Sequence, residues 1–214
     1  MEKITLQTSD NLKIVGNHFK VPKPNPGISL FHMMPASKES YSLFAEQLNK
    51  AGIGVLSIDL RGHGESAGGN YQNFTDEQHQ SSIHDVEAAV SFQEQEGHSP
   101  LFVGGASIGA NLALQIIVED KLVKKAILLS PGLNYRGIET VPLAKTVAKD
   151  KEVYIVTAKD DLRSGGANDQ QAQVIFNQLK CKKKIKIFEA GGHGTDIFKT
   201  HPELMDELVK WLKN

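Results

Sequence analysis

Leu101-Phe102-Val103-Gly104-Gly105-Ala106-Ser107-Ile108-Gly109 joins a short apolar run to Ala110–Ile117, where apolar residues recur at helical spacing. An apolar run, then small residues, then a helical period predicts a strand, a tight turn and a helix, with room beside Ser107 only for small residues. Such a turn lifts the Ser107 hydroxyl above the sheet. It also aims the first N–H groups of the helix at whatever that hydroxyl meets. A glycine-rich turn with a capping serine is the plain alternative, so the rest of the sequence has to choose between the two.

Outward from this unit, strands and helices alternate. Glu2 to Thr8 and Asn11 to Val21 alternate in hydropathy about Ser9-Asp10-Asn11 and predict a hairpin. Buried strands are expected at Ile28–His32 and Glu152–Ala158, and further strands at Gly54–Asp59, Leu101–Val103, Lys124–Leu129 and Lys184–Phe188. Helices are expected at Ser37–Ala51, Thr75–Gln95, Ile108–Glu119, Asp169–Leu179 and Pro202–Leu212. In the first of these, Tyr41, Leu43, Phe44 and Leu48 form the apolar face and Ser37 or Ser40 can cap. Strands alternating with helices imply a mostly parallel twisted sheet of about eight strands covered on both faces. A single α/β domain over residues 1–214 is expected.

Composition narrows the function. Hydrophobic residues make up 40% and charged residues 23%, ordinary values for a globular chain. A formal net charge of −1 offers no footprint for nucleic acid or for an anionic membrane. Neither a signal peptide at Met1–Leu6 nor an apolar run near ~18 residues is seen, so a cytoplasmic protein is expected. Cys181 is the single cysteine and reads as structural. The lysines at 180, 182, 183, 184 and 186 read as a solvated rim. No zinc spacing and no phosphate loop occur, so neither a metal nor a cofactor is implied.

Together, Leu30-Phe31-His32, Asp59-Leu60-Arg61-Gly62-His63-Gly64-Glu65-Ser66, Gly105-Ala106-Ser107-Ile108-Gly109, Asp161 and Gly192-His193-Gly194-Thr195 resemble a small α/β-hydrolase of the esterase or dienelactone-hydrolase type. The resemblance runs over nearly the whole chain. It implies a serine esterase acting on a small-molecule ester through an acyl-enzyme, with the triad in the order Ser107, Asp161, His193. In the family the acid stands three residues after the small residue ending its strand; Ala158 and Asp161 have that spacing, and Asp160 is the alternative.

The resemblance also implies an oxyanion hole made by the N–H groups of Ile108 and Met34. Met33 stands where the family has glycine, which questions the loop's backbone geometry, since methionine disfavours positive φ. Met33 and Met34 are expected to wall a small acyl pocket, and His32 to hold the loop. Arg61, His63 and Ser66 read as structural. About twenty residues, Ser130 to Lys151, stand where many such hydrolases insert a cap. That interval has room for a loop and a short helix, and the site should be open and suited to short acyl groups. Thioesterase, lactonase and small-peptidase activities are close alternatives, and a non-catalytic binding module is the alternative from another class.

Overall fold

The computed structural model describes residues 1–163 and 166–214. The alternating N-terminal segments pair as an antiparallel hairpin, β1 (Glu2–Gln7) with β2 (Lys13–Phe19), and β2 pairs antiparallel with β4 (Gly54–Ile58). The apolar runs become parallel strands: β3 (Gly27–Phe31), β4, β5 (Leu101–Ala106), β6 (Val123–Leu129), β9 (Glu152–Ala158) and β10 (Lys182–Phe188). Between β6 and β9 lies a small separate hairpin, β7 (Asn134–Tyr135) with β8 (Ile138–Glu139).

The eight-stranded sheet runs in the order β1-β2-β4-β3-β5-β6-β9-β10. From β3 the chain steps to β4, then crosses back over β3 to β5 and continues to the other edge. The winding therefore reverses between β3 and β5, and the loops leaving these two neighbours splay apart above the sheet. A crevice at that point is where open α/β sheets hold their ligands.

The residues of β3, β4 and β5 are buried throughout, as befits strands covered on both faces. On one face α1 (Ser42–Lys50) and the closing helix, Glu203–Lys213, pack Phe44, Leu48, Leu204 and Leu208 over Val55, Tyr154 and Val156. On the other, α3 (Ile83–Gln95), α4 (Ile108–Glu119), α5 (Thr140–Thr146) and α6 (Asn168–Gln178) bring Val86, Leu112, Ile116, Ala144 and Ile175 onto Leu56, Val103 and Leu128. Each fully buried leucine or isoleucine there contributes about 1.5–3 kcal/mol.

Three expectations need correction. The helix predicted over 37–51 begins as a 3-10 turn at Lys38–Tyr41, and neither Ser37 nor Ser40 caps it; Ser37 Oγ donates to Glu39 and Ser40 Oγ to the Ser37 carbonyl. Leu43, placed on its apolar face, is 70% exposed. The helix predicted over 75–95 is two: α2 (Asp76–Gln80), opened by a Thr75/Gln78 capping box, and α3. The break falls at Ser81-Ser82, where the Ser81 hydroxyl turns back onto the Glu77 carbonyl.

The lysine rim lies on the edge strand β10. Lys182 pairs with Glu152, Lys184 and Lys186 with Glu207, and Lys183 caps the end of α6 through the Phe176 and Leu179 carbonyls. Charged side chains of this kind blunt a sheet edge. Burial pushes the Cys181 thiol above its usual range, as suits a packing residue. Among the described residues no helix is long and apolar enough to cross a membrane.

Candidate active site

Ser107 follows β5 directly and has φ 55°, ψ −120°, a conformation that costs a non-glycine residue energy and is held by its surroundings. Its N–H donates to the Leu129 carbonyl at the end of β6, and its carbonyl accepts from Ala110 and Asn111 in the first turn of α4. The flanking glycines make the turn sterically feasible. A Cβ on Gly105 would lie 1.9 Å from the Gly109 carbonyl oxygen, and one on Gly109 would lie 2.2 Å from that of Phe31. The second contact also shows how closely the elbow sits against the end of β3.

His193 stands in the loop after β10 and is buried, with Nδ1 2.7 Å from Asp161 Oδ2. Facing a carboxylate, Nδ1 is the donor, which leaves Nε2 of the neutral ring without a hydrogen. Asp161, also buried, completes its bonding by accepting from the Arg163 N–H at 3.1 Å. The neighbouring Asp160 has different work: its Oδ1 accepts from the N–H groups of Gly191 and Gly192 at 2.9 and 3.0 Å. It holds the histidine loop, and Asp161 holds the imidazole. Ser130, at φ 49°, clamps the far side of the same loop by accepting from the Gly194 N–H at 2.9 Å.

The loop after β3 is built around His32. Leu60 N–H donates to its Nε2 at 3.0 Å, and Nδ1 therefore donates to the Met33 carbonyl at 2.9 Å. That carbonyl also accepts from Ala36 N–H at 2.8 Å. With the Met33 oxygen fixed on one side, planarity of the trans peptide directs the Met34 N–H to the other. Burial, and then the neighbouring His63 ring, pull the His32 pKa down to about 4, so the ring stays neutral in the tautomer the loop requires.

Met33 has no positive φ, so replacing glycine carries no backbone strain here. Its side chain does not wall an acyl pocket, contrary to expectation. It is buried beneath the histidine loop, where it fills the space beside Gly194 and Thr195.

One cavity of about 480 Å³ joins these parts; Met34, Ser107, Asn134, Tyr135, Arg136, Arg163 and His193 line it. Four of these, Asn134, Tyr135, Arg136 and Arg163, lay outside the sequence reading. Asn134–Arg136 come from the β7–β8 hairpin, signalled only by the turn-like Asn134-Tyr135-Arg136-Gly137. The hairpin is fixed from below: Asn111 Nδ2 donates to the Gly132 and Ile138 carbonyls, Thr140 Oγ1 to Gly132, and Asn168 Nδ2 to Pro131. The Tyr135 ring stands edge-on to His193, centroids 6.5 Å apart.

Other hollows do not assemble such chemistry. One of about 740 Å³ beside β1 and α3 contains Ser9 and His84, but Ser9 and Glu87 both meet His84 at Nδ1, so the ring cannot relay a proton between them. Another, of about 900 Å³, lies behind the histidine loop. Arg61, His63 and Ser66 are structural: Arg61 spans Asp10 and Asp85, Ser66 bonds Asp59 and Val15, and His63 stacks on Tyr71. Among the described residues no three His, Cys, Asp or Glu side chains stand so as to hold a metal ion.

Comparison with known proteins bears on the family and the fold. The family model described as serine aminopeptidase, S33, matches residues 22–185. Among solved structures, the esterase Pf2001 of Pyrococcus furiosus superposes with TM-score 0.82 at 19% identity, covering 99% of this chain and 91% of its own. The esterase EaEST of Exiguobacterium antarcticum gives 0.79 at 14%, covering both chains fully at 100%. Est1E of Butyrivibrio proteoclasticus, solved with ferulic acid bound, gives 0.78 at 18% over 98% of each chain. No curated protein matches in sequence. At these identities the structural likeness speaks for the fold.

Proposed function

We propose that this chain, which belongs to the α/β-hydrolase family described as serine aminopeptidase, S33, is a serine carboxylesterase of small, accessible esters. The observation that carries this reading is Ser107 and His193 lining one cavity while Asp161 holds His193 Nδ1 at 2.7 Å. In the proposed reaction His193 Nε2 removes the Ser107 proton as Oγ attacks the carbonyl carbon. The N–H groups of Ile108 and Met34 receive the oxyanion. His193 then protonates the departing alcohol, and water, deprotonated by the same nitrogen, releases the acid from Ser107.

Ester rather than aminopeptide is favoured by the charges at the mouth. An aminopeptidase must accommodate a free α-ammonium, which an acidic side chain would hold. Among the described residues the lining offers two arginines and no carboxylate. Short acyl groups fit best. The interval from 130 to 151 forms only a two-strand hairpin and a seven-residue helix, too little to roof a long chain. Added methylenes left in water gain none of the ~0.8 kcal/mol that burial gives each.

The test is labelling by a fluorophosphonate, which needs an activated serine, together with hydrolysis of p-nitrophenyl esters from two to twelve carbons. Labelling should occur at Ser107 and disappear in Ser107→Ala, whose turnover should fall on the order of 10⁴-fold or more. Rates should peak among the short acyl chains. A folded Ser107→Ala protein with near-native turnover overturns the reading, and a maximum at ten carbons or beyond overturns the open pocket.

A further inference from the structure

The cavity around Ser107 has a charge pattern that ester hydrolysis alone does not require. Arg136 enters from the β7–β8 hairpin and Arg163 from the loop after Asp161, so two separate elements each place a guanidinium at one mouth. Arg163 is anchored over the oxyanion loop, with Nη1 donating to the Met34 carbonyl at 3.3 Å. Arg136 is set by its own backbone at φ 54°, while its carbonyl accepts from Gln80 Nε2. Its ionic partner among the described residues, Asp76, is 3.8 Å away, and both side chains are more than half exposed, so the pair is weak and leaves the guanidinium able to bind another anion.

Among the described residues the other groups facing this space are Met34, Ser107, Asn134, Tyr135 and His193. No carboxylate among the described residues lines the cavity; Asp76 stands outside that lining, beside Arg136, and Asp161 is buried and committed to His193. The field at the mouth is therefore positive, although the chain's formal net charge is −1.

We infer that Arg136 and Arg163 form an anion subsite, and that the preferred substrates are esters carrying a carboxylate a few atoms from the scissile carbonyl. This rests on the esterase reading and narrows it to a substrate class. A guanidinium presents paired donors that match a carboxylate, and two of them at one cavity can hold it while the ester carbonyl reaches Ser107. A cavity of about 480 Å³ has room for a short dicarboxylic half-ester. A neutral acyl chain of equal length would leave the same guanidinium groups hydrated and gain nothing from them.

The experiment compares monomethyl glutarate with methyl pentanoate, which share acyl length and differ in the terminal carboxylate. Turnover is followed by pH-stat in wild type, Arg136→Gln, Arg163→Gln, the double variant and the Arg→Lys counterparts. Wild type should favour the half-ester about tenfold in kcat/KM, mainly through KM, with the preference shrinking as salt rises. Each glutamine should lower the ratio by about threefold, and the double variant should bring it near unity. Lysine should restore part of it. Both side chains are exposed, so folding does not depend on them.

Binding is read separately by saturation-transfer NMR of monomethyl glutarate on Ser107→Ala, with and without the two glutamines. A half-ester hydrolysed no faster than the neutral ester, or bound equally by the double glutamine variant, overturns the subsite and leaves the esterase reading standing. Absence of turnover and of fluorophosphonate labelling, with arginine-dependent binding intact, overturns the esterase reading and keeps the subsite.

Discussion

Two loops at the same edge of the sheet, one after β4 and one after β9, both bury carboxylates, and they use them in opposite ways. After β4, Asp59 is saturated: Oδ1 accepts from Lys38 N–H, and Oδ2 from Lys38 Nζ and Glu65 N–H, at 2.8, 2.7 and 2.9 Å. Close by, Asp85 accepts from Arg61 N, Nε and Nη2. Burial pulls the Lys38 ammonium down, but Asp59, Glu65 and Glu39 overcome this and hold it above its usual range. Every charge there ends on a fixed cation or a backbone donor, so the cluster can only hold the fold together. After β9, Asp161 ends on an imidazole whose second nitrogen meets a cavity shared with Ser107. The two carboxylates differ in their partners: Lys38 is buried in its cluster, whereas the His193 ring also lines the cavity.

The largest effect should separate the two aspartates after β9. Asp161→Asn should cut esterase turnover on the order of 10³–10⁴-fold, because an amide no longer enforces the Nδ1–H tautomer. Asp160→Asn should cost less than about tenfold, because the residue only caps the loop and an amide oxygen still accepts from Gly191 and Gly192. Steady-state rates of the two purified proteins decide it, and the reverse ranking moves the orienting role to Asp160.

The staple after β4 should answer in stability. Lys38 and Asp59 side chains are 2% and 0% exposed, so Lys38→Met strands a buried carboxylate and should cost about 3–5 kcal/mol. Adding Asp59→Asn should recover part of the loss. Urea melts of the single and double variants measure it. A single variant as stable as wild type would show that water reaches Asp59 and that the contrast drawn above is false.

The smallest effect concerns His32, which lies between the two loops. Folded, it is neutral with a pKa near 4; unfolded, it takes a proton below about 6.5. The unfolded chain therefore binds the extra proton between these values. Stability is full above pH 6.5 and falls as pH drops toward 4, by roughly 2–3 kcal/mol by pH 4.5. His18, His63 and His79 are also held below their usual range by burial and steepen the same slope. His32→Gln should flatten it, as read from urea midpoints at pH 7 and 4.5; an unchanged slope would assign the acid sensitivity to the other three.

Much of this architecture was readable from local rules. Apolar runs five to seven residues long, each followed by an amphipathic segment, can bury both faces only as a parallel sheet between helices, and β9 was placed to the residue. The pentad around Ser107 was legible because steric exclusion at Gly105 and Gly109 is a property of neighbouring residues. Helix ends were less so: the break at Ser81-Ser82, where the Ser81 hydroxyl turns back onto the Glu77 carbonyl, leaves the apolar period of the segment unchanged.

By itself, then, the chain's order of residues determined the strand–turn–helix unit at Ser107, a mostly parallel sheet covered by helices on both faces, and a histidine and an aspartate at the ends of late strands. These depend on hydrophobic period, backbone sterics and residues close in sequence. Only the tertiary structure decided which of two adjacent aspartates meets His193, that Met33 packs beneath the histidine loop instead of lining a pocket, and that Arg136 and Arg163 flank the nucleophile. Each of those depends on where a side chain points after segments tens of residues apart have packed, and neither hydropathy nor spacing carries that direction.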